Sequence, residues 1–158
     1  MSVNTKRALY RFFIFALMGL LLEVLSGSWW QVRHGNWNMH GSSSPWMIFD
    51  YGLIGVVLMP IAQPMIRRGI PLLLRAVVYM AAIFLVEFVS GWLFDICSLE
   101  IWDYSSMPHN LFGYIAVGYI PIWYGLGLFL EFLYKRVDVA ALVLAKGLRA
   151  PDIEAAGL

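Results

Sequence analysis

The chain has 158 residues, of which 61% are hydrophobic and 13% are charged, and its formal net charge is +1. A soluble domain carries about 25% charged residues, so this composition excludes an ordinary soluble domain and indicates an integral membrane protein. The small net charge gives no reason to expect a nucleic-acid partner. Cys97 is the single cysteine, which excludes an intrachain disulfide and a cysteine-based metal cluster.

Four apolar stretches have the length of a membrane span, for which about 20 residues are needed. They predict an all-α integral membrane protein built as a four-helix transmembrane bundle. The helices are predicted at about 8–30, 46–66, 72–97 and 111–134. This transmembrane domain is predicted to cover residues 1–137, and residues 138–158 are predicted to form a cytoplasmic tail.

Prolines and an asparagine add detail to two of the predicted helices. Pro60 and Pro64 are expected to kink the second helix, and Pro121 is expected to kink the fourth. Membrane helices tolerate such prolines when neighbouring groups satisfy the freed carbonyls. Asn110 stands just before the fourth predicted helix, where its side chain is suited to cap the first turn.

The basic residues predict the orientation of the chain in the membrane. If the N-terminus is cytoplasmic, ten of the eleven Lys and Arg residues lie inside and only Arg33 lies outside. Cytoplasmic loops carry the excess of basic residues in membrane proteins. We therefore expect both termini in the cytoplasm, with the loops at about 31–44 and 98–110 on the outer face.

The first and third predicted helices resemble each other. The segment LLLEVLSGSWW matches IFLVEFVSGWLF, and the E-x-x-S-G pattern that begins at Glu23 recurs at Glu87, 64 positions later. A polar pattern of this kind is more specific than a match of apolar residues. It predicts two related helical hairpins of the parallel repeat type, with their axis along the membrane normal.

Glu23 and Glu87 are the strongest sign of a site. A strongly charged side chain at the centre of a membrane helix costs about 2.5–3.5 kcal/mol on insertion scales, and such residues face the bundle interior or a wet cavity. One interpretation is structural, with each glutamate pinning helices together. The other is an acidic cavity open to the outer face, completed by Asp103 in the loop above.

The loop EIWDYSSMPHN, residues 100–110, lies over that predicted cavity. Trp102 and Tyr104 fit the aromatic belt at a membrane interface, and the loop is open to a purely structural interpretation. A carboxylate flanked by aromatic faces also suits a cationic or zwitterionic head group. The predicted ligand-binding residues are Glu23, Glu87, Trp102, Asp103, Tyr104, Ser105, Asn110 and Tyr114.

No metal or other cofactor is expected. His34, His40 and His109 all fall in the outer loops, but their spacing fits no known ligand pattern. The chain also contains no glycine-rich phosphate loop and no G-x-S-x-G pattern.

The motifs resemble those of a known family. Its pattern has Gly-x-x-x-Glu in the first helix, a later helical Glu, then W-D-Y-S and a Gly, and here these fall at Gly19, Glu23, Glu87, 102–105 and Gly113. Over roughly residues 10–135 the chain resembles the putative type IV ABC-transporter permease family and its eukaryotic relative, the transmembrane protein 229 family. The segment SSPWMIFDYG departs from the G-P-I-Y-G-like segment of many bacterial members.

The resemblance implies a location in the bacterial inner membrane, transport, and a separate ATPase subunit, because this chain has no Walker motif. From the residues we expect a protein that binds or moves a small cationic or zwitterionic ligand, with membrane lipids as partners and a homo-oligomer left open. The alternatives are a permease-like transporter subunit, a scaffold subunit, and a lipid-acting enzyme with one glutamate as general base. An enzyme is less favoured than a protein without catalytic activity.

Overall fold

The computed structural model describes residues 1–148 and 150–155, and four long helices dominate it. The long helices are α1 (Val3–Arg33), α2 (Met47–Arg67), α3 (Leu72–Ile96) and α4 (Ile120–Lys146). A short α5 (Ala150–Ala155) follows. α1 packs along α2 and α4, and α3 packs along α4, whereas α2 and α3 touch each other little.

Among the described residues, α1, α2 and α3 are long and apolar enough to cross a membrane. Their outer faces carry large apolar side chains that stay exposed among the described residues, such as Leu17 and Leu21 on α1 and Leu85 on α3. In water these faces would form an apolar surface far larger than soluble proteins expose. The chain is therefore an integral membrane protein, as its composition predicted.

The start of the fourth helix differs from the prediction. α4 begins at Ile120 and not near position 111, because Phe112 and Gly113 have φ angles of 55° and 76°, which a right-handed helix cannot include. The preceding residues form the antiparallel strands β1 (Asn110–Leu111) and β2 (Ile115–Ala116) and a 3₁₀ turn (Val117–Tyr119). Pro121 consequently lies in the first turn of α4, where proline is tolerated, and the predicted kink was wrong.

The end of α4 also lies beyond the predicted span. The helix passes Val137 without a break and ends at Lys146, where Gly147 adopts the left-handed conformation typical of a C-cap (φ 66°). Ala141 and Ala145 continue the buried stripe of α4 beyond Val137, at four-residue spacing. This stripe packs the last turns against the bundle, so the helix crosses the boundary predicted between bundle and tail.

A buried charged group joins α3 to α4. Glu131 is only 7% exposed. Arg75 donates two parallel hydrogen bonds to its carboxylate, from Nε to Oε1 at 2.6 Å and from Nη2 to Oε2 at 2.8 Å. The Tyr79 hydroxyl donates a further bond to Oε1 at 2.5 Å. Two-point arginine–carboxylate contacts are among the stronger hydrogen bonds in proteins, so this group fixes the two helices in register.

α1 and α2 approach closely at Gly55. A Cβ atom there would lie 2.7 Å from the backbone carbonyl of Arg11. Because backbone atoms cannot rotate away, the Gly55→Ala variant should push the helices apart and lose about 1–3 kcal/mol of stability. The matched control is Gly125→Ala on α4, where a Cβ meets nothing within 4 Å. Thermal unfolding in detergent should show a loss only for Gly55→Ala, and equal losses would contradict the close approach.

Candidate functional site

Both predicted glutamates line one cavity of about 370 Å³. We call it the glutamate cavity. It lies between α1, α2 and α4, with Glu87 of α3 and the loop before β1 completing its wall. Two carboxylates that are 64 positions apart in the chain therefore line the same space. Their equal depth and the repeat symmetry behind it stay predictions.

Glu23 is held by two hydroxyl groups. Its Oε2 atom accepts hydrogen bonds from the Ser43 hydroxyl at 2.7 Å and from the Tyr51 hydroxyl at 3.0 Å. Ser43 comes from the loop between α1 and α2, and Tyr51 lies in the second turn of α2. These two donors fix the carboxylate against α2 and leave it half-buried.

Glu87 has a single donor among the described residues. The indole Nε1–H of Trp123 on α4 donates to its Oε2 atom at 3.0 Å. Within the described part of the chain, the Oε1 atoms of Glu87 and Glu23 accept no hydrogen bond. One oxygen of each carboxylate is thus left for water or a ligand.

Aromatic side chains surround the two carboxylates. Tyr119 and Trp123 stack with ring centroids 5.7 Å apart. The Tyr104 ring is tilted against Tyr119, with ring centroids 5.0 Å apart. Burial, and next the charge of Glu87, raise the pKa of Tyr104 above its ordinary value, so its hydroxyl stays neutral. Among the described residues no Lys, Arg or His lines this cavity, so no basic side chain there offsets the two glutamates.

A narrower space of about 100 Å³, the apolar slot, continues from the glutamate cavity. The residues that line both spaces include Tyr51, Glu87 and Trp123, and aliphatic side chains of α2, α3 and α4 form most of the slot's wall. Asp50 lies at its polar end, and the Oδ2 atom of this residue is buried without a hydrogen-bond partner among the described residues. A cavity that contains two carboxylates therefore adjoins an apolar slot.

Asp103 lies outside the glutamate cavity. Its Oδ1 atom accepts the Ser105 amide at 2.8 Å, and hydrogen bonds from the Ser105 hydroxyl and amide hold the pKa of Asp103 below its ordinary value. The neighbouring Tyr104 amide donates to the Gly113 carbonyl at 2.8 Å. A Cβ at Gly113 would lie 2.6 Å from both the Asp103 carboxylate and the Ser105 hydroxyl. Asp103 and Ser105 therefore lie against Gly113, in the turn between β1 and β2.

Asn110 and Tyr114 also hold the loop together. Asn110 donates to the Met107 carbonyl at 2.8 Å and accepts the Gly113 amide at 3.1 Å. The prediction that Asn110 caps the fourth helix was wrong, because that helix begins ten residues later. The Tyr114 hydroxyl donates to Asp95 at 2.7 Å, and its carbonyl accepts the Trp102 indole at 2.9 Å.

The predicted site residues therefore divide into two groups. Four line the glutamate cavity, namely Glu23, Glu87, Trp102 and Tyr104. The other four serve the loop, namely Asp103, Ser105, Asn110 and Tyr114. Sequence reasoning missed the carboxylates' direct partners, Ser43, Tyr51 and Trp123, because a hydroxyl or indole gives no signal of its own in an aromatic-rich membrane chain.

A protein-family model matches most of the chain. The family model described as "Putative ABC-transporter type IV" matches residues 10–148. This range contains α2, α3, α4 and most of α1, together with every described residue that lines the glutamate cavity. No solved structure matches the chain.

Proposed function

Since the chain belongs to the putative type IV ABC-transporter family, we propose that it is a membrane subunit whose glutamate cavity binds a small cationic group or a zwitterionic lipid head group. One observation carries the proposal. Glu23 and Glu87 face one cavity whose described lining contains no basic residue. A buried carboxylate is costly without a compensating charge, and a bound cationic group would supply that charge.

The aromatic wall supports a quaternary or alkyl ammonium group in particular. The faces of Trp and Tyr rings attract a cation within about 6 Å, by roughly 0.5–2 kcal/mol for each ring. Trp102, Tyr104, Tyr119 and Trp123 all line the cavity. The apolar slot beside it would take part of a hydrocarbon chain, so a single-chain ammonium amphiphile fits both spaces.

A panel of ligands tests this preference. The purified protein in a neutral maltoside detergent would be titrated with dodecyltrimethylammonium, with zwitterionic lysophosphatidylcholine and with dodecyl sulfate, and binding would be followed by tryptophan fluorescence and calorimetry. The proposal expects saturable binding of the first two and none of the sulfate at this cavity. Equal binding of all three would leave only a detergent-accessible apolar surface.

The family favours a second candidate function, a permease-like subunit that works with a separate ATPase. Affinity purification of the tagged chain from its native membrane would distinguish the two candidates. Stoichiometric recovery of a protein with Walker motifs, whose ATP hydrolysis rises when the ligand is added, would support the transporter subunit. Ligand binding without an ATPase partner would support a binding protein.

In this proposal all four long helices cross the membrane and both termini are cytoplasmic. The 27 residues of α4 span about 40 Å at 1.5 Å per residue, enough for a crossing. In a Cys97→Ser background, a membrane-impermeant thiol reagent added to sealed cells should label Asn36→Cys and Ser106→Cys but not Arg68→Cys. Labelling at position 68 would overturn this orientation.

A further inference from the structure

A second large cavity, of about 870 Å³, lies near the other end of the bundle from the glutamate cavity. It is formed by the first turns of α1, the last turns of α2 and the middle of α4. Arg11 on its wall lies twelve residues before Glu23 on α1, which is about 18 Å along the helix axis. We call it the basic cavity. Its charged lining residues are Arg7, Arg11, Arg67, Lys135 and Asp138.

Among the described residues that line the basic cavity, four are cations and one is an acid. The Asp138 carboxylate accepts hydrogen bonds from Arg7 Nε at 2.7 Å and from Arg11 Nη1 at 2.6 Å. One carboxylate therefore pairs with two guanidinium groups. Arg67 donates to the Gln63 side chain at 3.5 Å. Within the described residues, neither Arg67 nor Lys135 forms an ion pair. The cavity therefore keeps a strong excess of positive charge.

Apolar side chains stand beside these charges. Val56, Met59, Pro60 and Ile66 of α2 line the same space. A cavity of this volume lies within the range of about 300–1,000 Å³ that small-molecule sites occupy. Guanidinium groups match phosphate oxygens in geometry as well as in charge, and the apolar wall would take the first part of an acyl chain.

We propose that the basic cavity binds the phosphate-bearing head group of an anionic lipid. The cavity lies at the end of the bundle predicted to face the cytoplasm, where anionic lipids attract basic residues with about 1 kcal/mol each. This site is independent of the glutamate cavity, since the two share no lining residue.

Basic residues are common at cytoplasmic helix ends for reasons of topology alone, so the proposal depends on which of them face the cavity. The chain offers matched pairs. Arg67 lines the cavity and its neighbour Arg68 does not, and Lys135 lines it while Arg136 does not. Arg136 instead lies over the Phe132 ring, 5.3 Å from its centroid.

The experiment compares Arg67→Gln and Lys135→Gln with Arg68→Gln and Arg136→Gln, which remove the same charge. Each protein would be placed in nanodiscs of phosphatidylcholine with a minority of phosphatidylglycerol. Native mass spectrometry would count the retained lipids, and thermal unfolding would check that each variant is folded. The proposal expects one tightly held phosphatidylglycerol in the unsubstituted protein. Its affinity should fall about fivefold in each lining variant and stay unchanged in both controls.

Three results would overturn the proposal. An equal loss of phosphatidylglycerol affinity in the lining and control variants would show that the lipid binds to general surface charge. Displacement of the lipid by millimolar inorganic phosphate, with phosphate bound equally well in lipid-free detergent, would assign the cavity to a free phosphate instead. Retention of phosphatidylcholine in equal amount would exclude selection of an anionic head group.

Discussion

Replacement of Glu131 by leucine is expected to destabilise the bundle by about 3–5 kcal/mol, the usual cost of breaking a buried ion pair from one side. The variant leaves the Arg75 guanidinium without its two-point partner and the Tyr79 hydroxyl without its acceptor. Both groups lie where α3 packs on α4, so the loss should separate these helices. Thermal or denaturant unfolding in detergent measures the effect.

The double variant Arg75→Leu/Glu131→Leu is the control for this prediction. Removing both charges leaves no unpaired ion, and replacing a buried pair with apolar side chains is often neutral or stabilising. We therefore expect the double variant to recover most of the stability that Glu131→Leu loses. A double variant as unstable as the single one would contradict the assignment of the loss to an orphaned arginine.

The second large effect is expected on ligand binding. Glu23→Gln and Glu87→Gln keep the shape of each side chain and remove its charge, and losing one charge of a close pair costs about 2–5 kcal/mol. Each variant should therefore bind dodecyltrimethylammonium about 30-fold more weakly or worse. Glu100→Gln is the matched control, because Glu100 is an exposed loop acid that does not line the glutamate cavity. Titration by calorimetry measures all three.

The stability of the same variants separates a binding role from a structural one. Glutamine is less costly to bury than an ionised carboxylate and still accepts the bonds from Ser43 and Tyr51 or from Trp123. We expect both glutamine variants to unfold at or above the temperature of the unsubstituted protein. A glutamine variant that loses stability but keeps its ligand affinity would indicate that the glutamates only pin helices together.

Much of the fold could be predicted because apolar length alone defines a membrane helix. α1, α2 and α3 begin and end within a few residues of the apolar stretches, apart from the earlier start of α1 at Val3. The start of α4 could not be predicted, because LFGYIAVGYI is as apolar as a helix while its Phe112 and Gly113 form a turn. The end of α4 at Lys146 could not be predicted, because the charged residues in its last turns looked like those of a solvent-exposed tail. In the structure one of them, Asp138, pairs within the bundle with Arg7 and Arg11.

The site was predictable where a residue is costly in its surroundings. A carboxylate is costly in an apolar membrane helix unless it has a structural or binding role. This cost is what marked Glu23 and Glu87 as candidates. The W-D-Y-S loop gave two equally good interpretations, and only coordinates separate Trp102 and Tyr104, on the cavity wall, from Asp103, which closes a turn. Glu131 escaped prediction because its partner lies on another helix, 56 positions away.

The most direct test of the central claim is native mass spectrometry of the protein extracted from its own membrane, beside the Glu23→Gln/Glu87→Gln double variant. The account predicts that the unsubstituted protein retains one amphiphile with a cationic or zwitterionic head group. It predicts that the folded double variant loses this molecule while other bound lipids stay. Retention of the same molecule in the same amount by both proteins would contradict a ligand-binding role for the glutamate cavity.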